Sequence, residues 1–161
     1  MGRRWIALLA LVLSLGIAAQ VSAHDGTPIA VGEPDITLVL VERTDTIVDV
    51  DQGEPGPSAG DLSIWGPNPL YDEANESDTG ATTQGICTAF ASGECMVVET
   101  IVFPDGSTLQ LQGIESGGGQ SSTRFIVAGS GQYFGAQGTM TVQPSEDRQR
   151  WTKTLEIWLA D

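Results

Sequence analysis

From Ala81 onward, turn signals recur at nearly even intervals: Ser92-Gly93, Pro104-Asp105-Gly106, Gly117-Gly118-Gly119, Gly129 to Gly131, and Pro144 to Asp147. Regular punctuation of this kind, with β-prone residues between the turns, predicts antiparallel strands in a sandwich or barrel. The intervening segments carry the period of two that one-face-buried strands require. Leu109 and Leu111 alternate with Thr108, Gln110 and Gln112, and Ala136, Gly138, Met140 and Val142 alternate with Gln137, Thr139, Thr141 and Gln143. Near the end of the chain, Trp151, Leu155, Ile157 and Leu159 alternate with Thr152, Thr154 and Glu156. The pattern predicts an all-β chain of eight strands with no helix, and closure into a barrel because closure removes exposed edges. Phe134 and Met140 are assigned to its core.

The earlier half is less regular. Ile36, Leu38 and Leu40 alternate with Thr37, Val39 and Val41, which predicts a first strand ending in Glu42 and Arg43, with Glu42 in phase with the three apolar residues. Asp51 to Gly60 reads as a surface loop, and Asp61 to Gly66 as a short second strand stopped by Pro67-Asn68-Pro69. Tyr71 to Gly80 is an acidic loop.

Arg3 and Arg4 precede an apolar run from Trp5 to Ala19, and Val21-Ser22-Ala23 offers small residues for cleavage, the order of a secretory signal. Residues 1–23 are therefore expected to be removed and the protein to be secreted. His24 to Pro34 reads as an irregular arm, and 35–161 as one barrel domain. The mature chain would set five basic residues against 21 acidic ones, a formal charge of −16. Such a field excludes nucleic acid and anionic membrane surfaces as partners. No other stretch is apolar enough for stable membrane insertion after cleavage.

Cys87 and Cys95 flank Ser92-Gly93 in a predicted hairpin, which would set them opposite or nearly opposite each other. Export favours a disulfide between them, with paired free thiols or separate burial as the alternatives. The one histidine, His24, lies at the predicted mature terminus, so the domain contains none of the imidazole that Ser-His-Asp, Cys-His or HExxH chemistry needs. Asp49-Val50-Asp51-Gln52-Gly53-Glu54 resembles a calcium loop only faintly, lacking its regularly spaced oxygens. Neither a metal nor a cofactor is expected.

With that pattern in place, Gly60-Asp61-Leu62, Asn68-Pro69-Leu70-Tyr71-Asp72, Gln84-Gly85-Ile86-Cys87, Glu94-Cys95, Gln112-Gly113 and the run Gly129 to Gly138 acquire a further meaning. Their order and spacing resemble the allene oxide cyclase and dirigent barrel superfamily, above all its exported bacterial members, over about residues 38 to 159. The resemblance implies an eight-stranded antiparallel, calycin-type barrel around an apolar cavity, with homo-oligomers among its relatives. Cyclase members guide ring closure of a fatty-acid allene oxide, and dirigent members steer radical coupling. Either task rests on holding a flexible molecule in a reactive shape.

Carried over residue by residue, the resemblance makes Glu42 the carboxylate that would stabilise developing positive charge and Asn68 an oxygen-binding amide. Thr44 stands where plant members have a second amide, and Cys87 where they have a pocket cysteine. A solvated strand end paired with Arg43 or Arg124 is the alternative for Glu42, and a turn residue between prolines the alternative for Asn68. Trp65 and Tyr71 are candidates for the cavity mouth, or else packing residues. The expected function is binding of an apolar small molecule and steering of its cyclisation or coupling. A non-catalytic carrier and a cell-surface interaction module are the alternatives, so the sequence leaves open whether the chain is an enzyme.

Overall fold

The computed structural model describes residues 32–160, so the expected secretory segment and most of the arm after it lie outside the described residues. The chain forms one antiparallel sheet that closes on itself. Its strands are β1 (Ile36–Arg43), β2 (Ile47–Val50), β3 (Leu62–Tyr71), β4 (Asp78–Ala89), β5 (Cys95–Val102), β6 (Thr108–Glu115), β7 (Ser122–Ser130), β8 (Gln137–Pro144) and β9 (Arg150–Trp158). From β3 to β9 each strand pairs with its sequence neighbours, β9 pairs with β1, and β1 returns to β3 through Val41 opposite Tyr71 and Glu42 opposite Leu70. The expected eight-stranded antiparallel barrel is thus present. Its first staves are arranged differently from expectation, because β1 and β2 both pair with β3 and together act as one strand broken at Thr44-Asp45-Thr46.

Pro67-Asn68-Pro69 does not stop the second predicted strand; β3 runs through it to Tyr71. The reason is a bulge. Trp65 pairs with Gly85 and Asn68 with Thr83, so three steps on β3 match two on β4. The extra residue reverses the in-out phase, and the two prolines fall where the ladder is already interrupted. Gly66, at φ 96°, has its Cα so close to β4 that a Cβ would stand 2.5 Å from the Thr83 carbonyl oxygen. The acidic loop is correspondingly shorter than Tyr71 to Gly80, since β4 begins at Asp78.

The inward phase of the strands fills one end of the barrel with a fully apolar core. Leu70, Ile101, Leu109, Leu111, Met140, Leu155 and Ile157 are all solvent-inaccessible. Phe134 is not part of it, being 81% exposed. The short 3₁₀ turn Gly131–Tyr133 turns the tyrosine inward instead, and its ring packs on Phe103 with centroids 4.7 Å apart.

On the outer wall the strand register lines up Val48, Ile64, Ile86 and Val98 in a row across β2 to β5. Met96 and Ile114 pair beside it, and Phe125 continues it on β7 opposite Gln112. The outward positions of β5 and β6, and of β4 from Thr82 on, carry no charged residue.

Candidate functional site

The other end of the barrel is polar inside and partly empty. Glu42 occupies the inward phase of β1, where Trp151 of β9 is its direct cross-strand partner and Lys153 and Asn68 are its diagonal neighbours. Its Oε2 lies 2.8 Å from Lys153 Nζ, and its Oε1 accepts a 2.8 Å hydrogen bond from Asn68 Nδ2. Asn68 Oδ1 in turn accepts from the backbone N–H of Thr46 at 2.8 Å and from its hydroxyl at 2.9 Å. The amide therefore ties the break between β1 and β2 to the carboxylate. Glu42 is neither a solvated strand end nor paired with Arg43 or Arg124.

Lys153 also donates to Glu99 on β5, across the barrel, and Arg124 of β7 pairs with the other oxygen of Glu99. Thr83 adds a 2.6 Å hydrogen bond to Glu99, and Arg124 Nη2 reaches Glu115 at 2.7 Å. The outcome is one alternating chain of charges, Glu42, Lys153, Glu99, Arg124 and Glu115, laid across the interior. Burial alone pushes the Glu99 carboxyl upward, but the Lys153 and Arg124 cations and the hydrogen bonds from Lys153 and Thr83 outweigh it and bring it to about 2. Buried charges persist only when paired this fully.

Two inward glycines make room for this arrangement. A Cβ on Gly85 would stand 2.5 Å from the Trp65 ring, and one on Gly113 would stand 2.9 Å from Arg124 Cα. Trp65 thus lies over Gly85, and Arg124 crosses over β6 to Glu99. The guanidinium sits 5.9 Å from the Trp65 ring centroid.

Above this charged layer is a cavity of about 430 Å³, floored by Glu42, Lys153, Arg124 and Glu115 and walled by Trp65, Trp151, Ile47 and the two cysteines. Trp151 is held upright by a 3.1 Å hydrogen bond from its Nε1 to the Thr44 hydroxyl. Cys87 and Cys95 form a disulfide, as expected, with their Cα atoms 5.6 Å apart. They are diagonal rather than opposite, since Cys87 faces Val97 and Cys95 faces Ala89. Cys87 accordingly offers no thiol to the cavity.

Of the residues singled out from sequence, Glu42, Trp65, Cys87 and Cys95 meet at this cavity. Asn68 is wholly buried behind Glu42. Tyr71 is elsewhere: the Arg43 guanidinium stacks 3.5 Å from its ring centroid, and Arg43 Nε and Nη2 donate to Asn75 at 2.9 and 2.7 Å. Lys153, Glu99 and Glu115 were not singled out, and Arg124 was named only as an alternative partner for Glu42, although each stands in the inward phase of its strand.

No protein-family model and no curated protein sequence matches the chain. Solved structures do. A pyocyanin demethylase superposes with a TM-score of 0.65 at 20% identity, covering 76% of this chain and 99% of that one. The fold is dirigent-like. The pterocarpan synthase dirigent protein PsPTS1 matches this dirigent-like barrel with a TM-score of 0.64 at 17% identity, over 81% of this chain and 99% of its own. The Diels-Alderase AbmU from Streptomyces koyangensis matches it with a TM-score of 0.59 at 22% identity, over 80% and 70% of the two chains.

Proposed function

We propose that the dirigent-like barrel binds a small organic molecule in the cavity at its polar end and holds it in the shape from which it cyclises or couples. The observation that carries this reading is the cavity itself: about 430 Å³ of space between two tryptophan walls and a floor of fixed charges. Structures of this fold that are named as a pterocarpan synthase, a Diels-Alderase and a demethylase act on small molecules, which supports the reading. The mixed lining narrows the expected ligand from an apolar molecule to one with a flat apolar body and polar substituents.

In this reading Glu42 and Lys153 are the contacts that meet charge developing on the bound molecule. Fixed charges in a site sheltered from water act more strongly than in solution and need no reorganisation. Asn68 is a positioning residue, since it touches Glu42 and not the cavity. For a coupling reaction the radicals would be made by a separate oxidant.

The neutral aromatic probe N-phenyl-1-naphthylamine tests occupancy. It is expected to bind at a single site, and Ser63→Trp, which fills the cavity wall, is expected to weaken it by at least about tenfold. Equal binding by the filled variant would place the probe elsewhere and remove the reading. Native mass spectrometry separates steering from carriage: a steered cyclisation returns an isomer of equal mass and altered retention, whereas a carrier returns its ligand unchanged.

Export and self-association belong to the same proposal. The disulfide supports export, because such bonds persist in oxidising compartments. The uncharged outer row from Val48 to Val98 supports contact with a second copy, since in so acidic a chain it is a face that like-charged molecules can bring together. Sedimentation velocity is expected to show an oligomer that Val98→Glu dissociates, and a monomeric parent protein would exclude it.

A further inference from the structure

Arg148 lines the cavity and two further depressions that share part of its lining. Its backbone is left-handed, at φ 54°, in the turn between β8 and β9. That turn is firmly built. The Ser145 hydroxyl donates to Asp147 at 2.6 Å, the Gln149 N–H donates to the same Asp147 oxygen at 3.1 Å, and the Arg148 N–H reaches the Ser145 carbonyl at 2.9 Å. A non-glycine residue is uncommon in this conformation, and here it holds an arginine at the rim of the cavity.

The buried chain sets three carboxylates, Glu42, Glu99 and Glu115, against two cations, Lys153 and Arg124. Of the remaining charged lining residues, Asp49 accepts a 2.5 Å hydrogen bond from the Ser63 hydroxyl, while the Arg148 guanidinium has no carboxylate within ion-pair distance among the described residues. Arg148 is exposed, and it shares this lack of a carboxylate with Arg43 and Arg150, but of the three it alone lines the cavity. An exposed guanidinium without a carboxylate partner at the rim of a cavity presents its donors to a ligand that brings acceptors.

Building on the cavity reading above, we infer that the ligand is an aromatic or otherwise flat molecule bearing an anionic group, a carboxylate or sulfonate-like oxyanion, and that Arg148 receives that group at the mouth. The flat body lies between Trp65 and Trp151 over the charged floor. The anionic end points to the β8–β9 turn, while Asp49 of β2, which lines the same cavity, opposes an anion beside it. Arg148 is therefore the residue that sets which ligands enter and which end enters last. Arginine suits this task because its planar fork of donors matches an oxyanion in two bonds.

Two probes with the same aromatic body test the inference: 1-anilinonaphthalene-8-sulfonate and the uncharged N-phenyl-1-naphthylamine. The sulfonate is expected to bind the full barrel at least about tenfold more tightly, the size of one charge-assisted hydrogen-bond pair. Arg148→Asn keeps a residue that tolerates the left-handed backbone and deletes the guanidinium, so it is expected to abolish that difference. Arg148→Lys should retain part of it, and Asp49→Asn should raise sulfonate affinity by a fewfold. Sulfonate affinity unchanged in Arg148→Asn, with the neutral probe still sensitive to Ser63→Trp, would overturn the role of Arg148 and leave the cavity reading standing. If neither probe binds, or neither responds to Ser63→Trp, the cavity reading falls and this inference falls with it.

Discussion

Glu99 is the residue on which the polar end of the barrel depends. It is solvent-inaccessible on its side chain and joins two cations that come from β7 and β9. Removing its charge leaves Arg124 and Lys153 buried with less compensation, so Glu99→Gln is expected to cost about 3–5 kcal/mol in urea unfolding at neutral pH. Its acidity adds a pH dependence of known sign. The folded carboxyl titrates near 2 and the ordinary value is 4.5, so the folded state binds its proton less tightly than the unfolded chain. The stabilisation is fully present above pH 4.5 and is lost as pH falls from there toward 2. It amounts to about 3 kcal/mol at neutral pH, and urea midpoints measured across that range should fall less steeply in Glu99→Gln. The signal for such residues was already in the primary structure. Lys153 interrupts the apolar phase set by Trp151, Leu155 and Ile157, and Glu99 interrupts that of Val97 and Ile101. A charge in the inward phase of a strand marks an internal partner, but the partner lies several strands away and no local pattern names it.

Among the elements, β3 departs furthest from its sequence pattern and does most to shape the cavity. Its bulge places both Trp65 and Asn68 inward, although they are three positions apart and a regular strand would point them to opposite faces. Gly85 completes the arrangement on β4 by leaving space for the indole. Gly85→Val is therefore expected to displace Trp65 and to weaken N-phenyl-1-naphthylamine by about tenfold or more while the barrel persists, read from probe titration beside far-ultraviolet circular dichroism. The hairpin of β4 and β5 was easier to foresee, because a turn flanked by two cysteines leaves few registers. Its disulfide closes a short loop, the cysteines standing eight positions apart. Replacing both by serine is expected to lower stability by no more than about 3 kcal/mol, checked by unfolding midpoints.

On the scale of the whole molecule, closure rests on a narrow seam. Between β1 and β3 only two residue pairs are in register, against eight between β1 and β9. The seam is clasped on both faces, by Glu42 and Asn68 inside and by Arg43 over Tyr71 and Asn75 outside. Arg43→Ala is expected to speed amide hydrogen exchange at residues 41–43 and 70–72 with little change at β5 and β6, which would locate the weakest opening of the barrel there. The same construction explains why the cavity lies at the seam end: the break at residues 44–46 leaves the space that Trp151, Trp65 and Ile47 surround.

By itself the sequence determined the strand class, most of the turns, the disulfide partners and the barrel, because alternation and turn chemistry are local and each strand pairs with its neighbour. Glu42 and Asn68 were legible only through the family resemblance. Only the tertiary structure decided that they touch, that Lys153 rather than an arginine answers Glu42, that Phe134 faces outward, and that Arg148 stands over the cavity. Those outcomes depend on a bulge that reverses a strand's phase and on contacts made across the barrel, and neither is recorded in the spacing of residues along the chain.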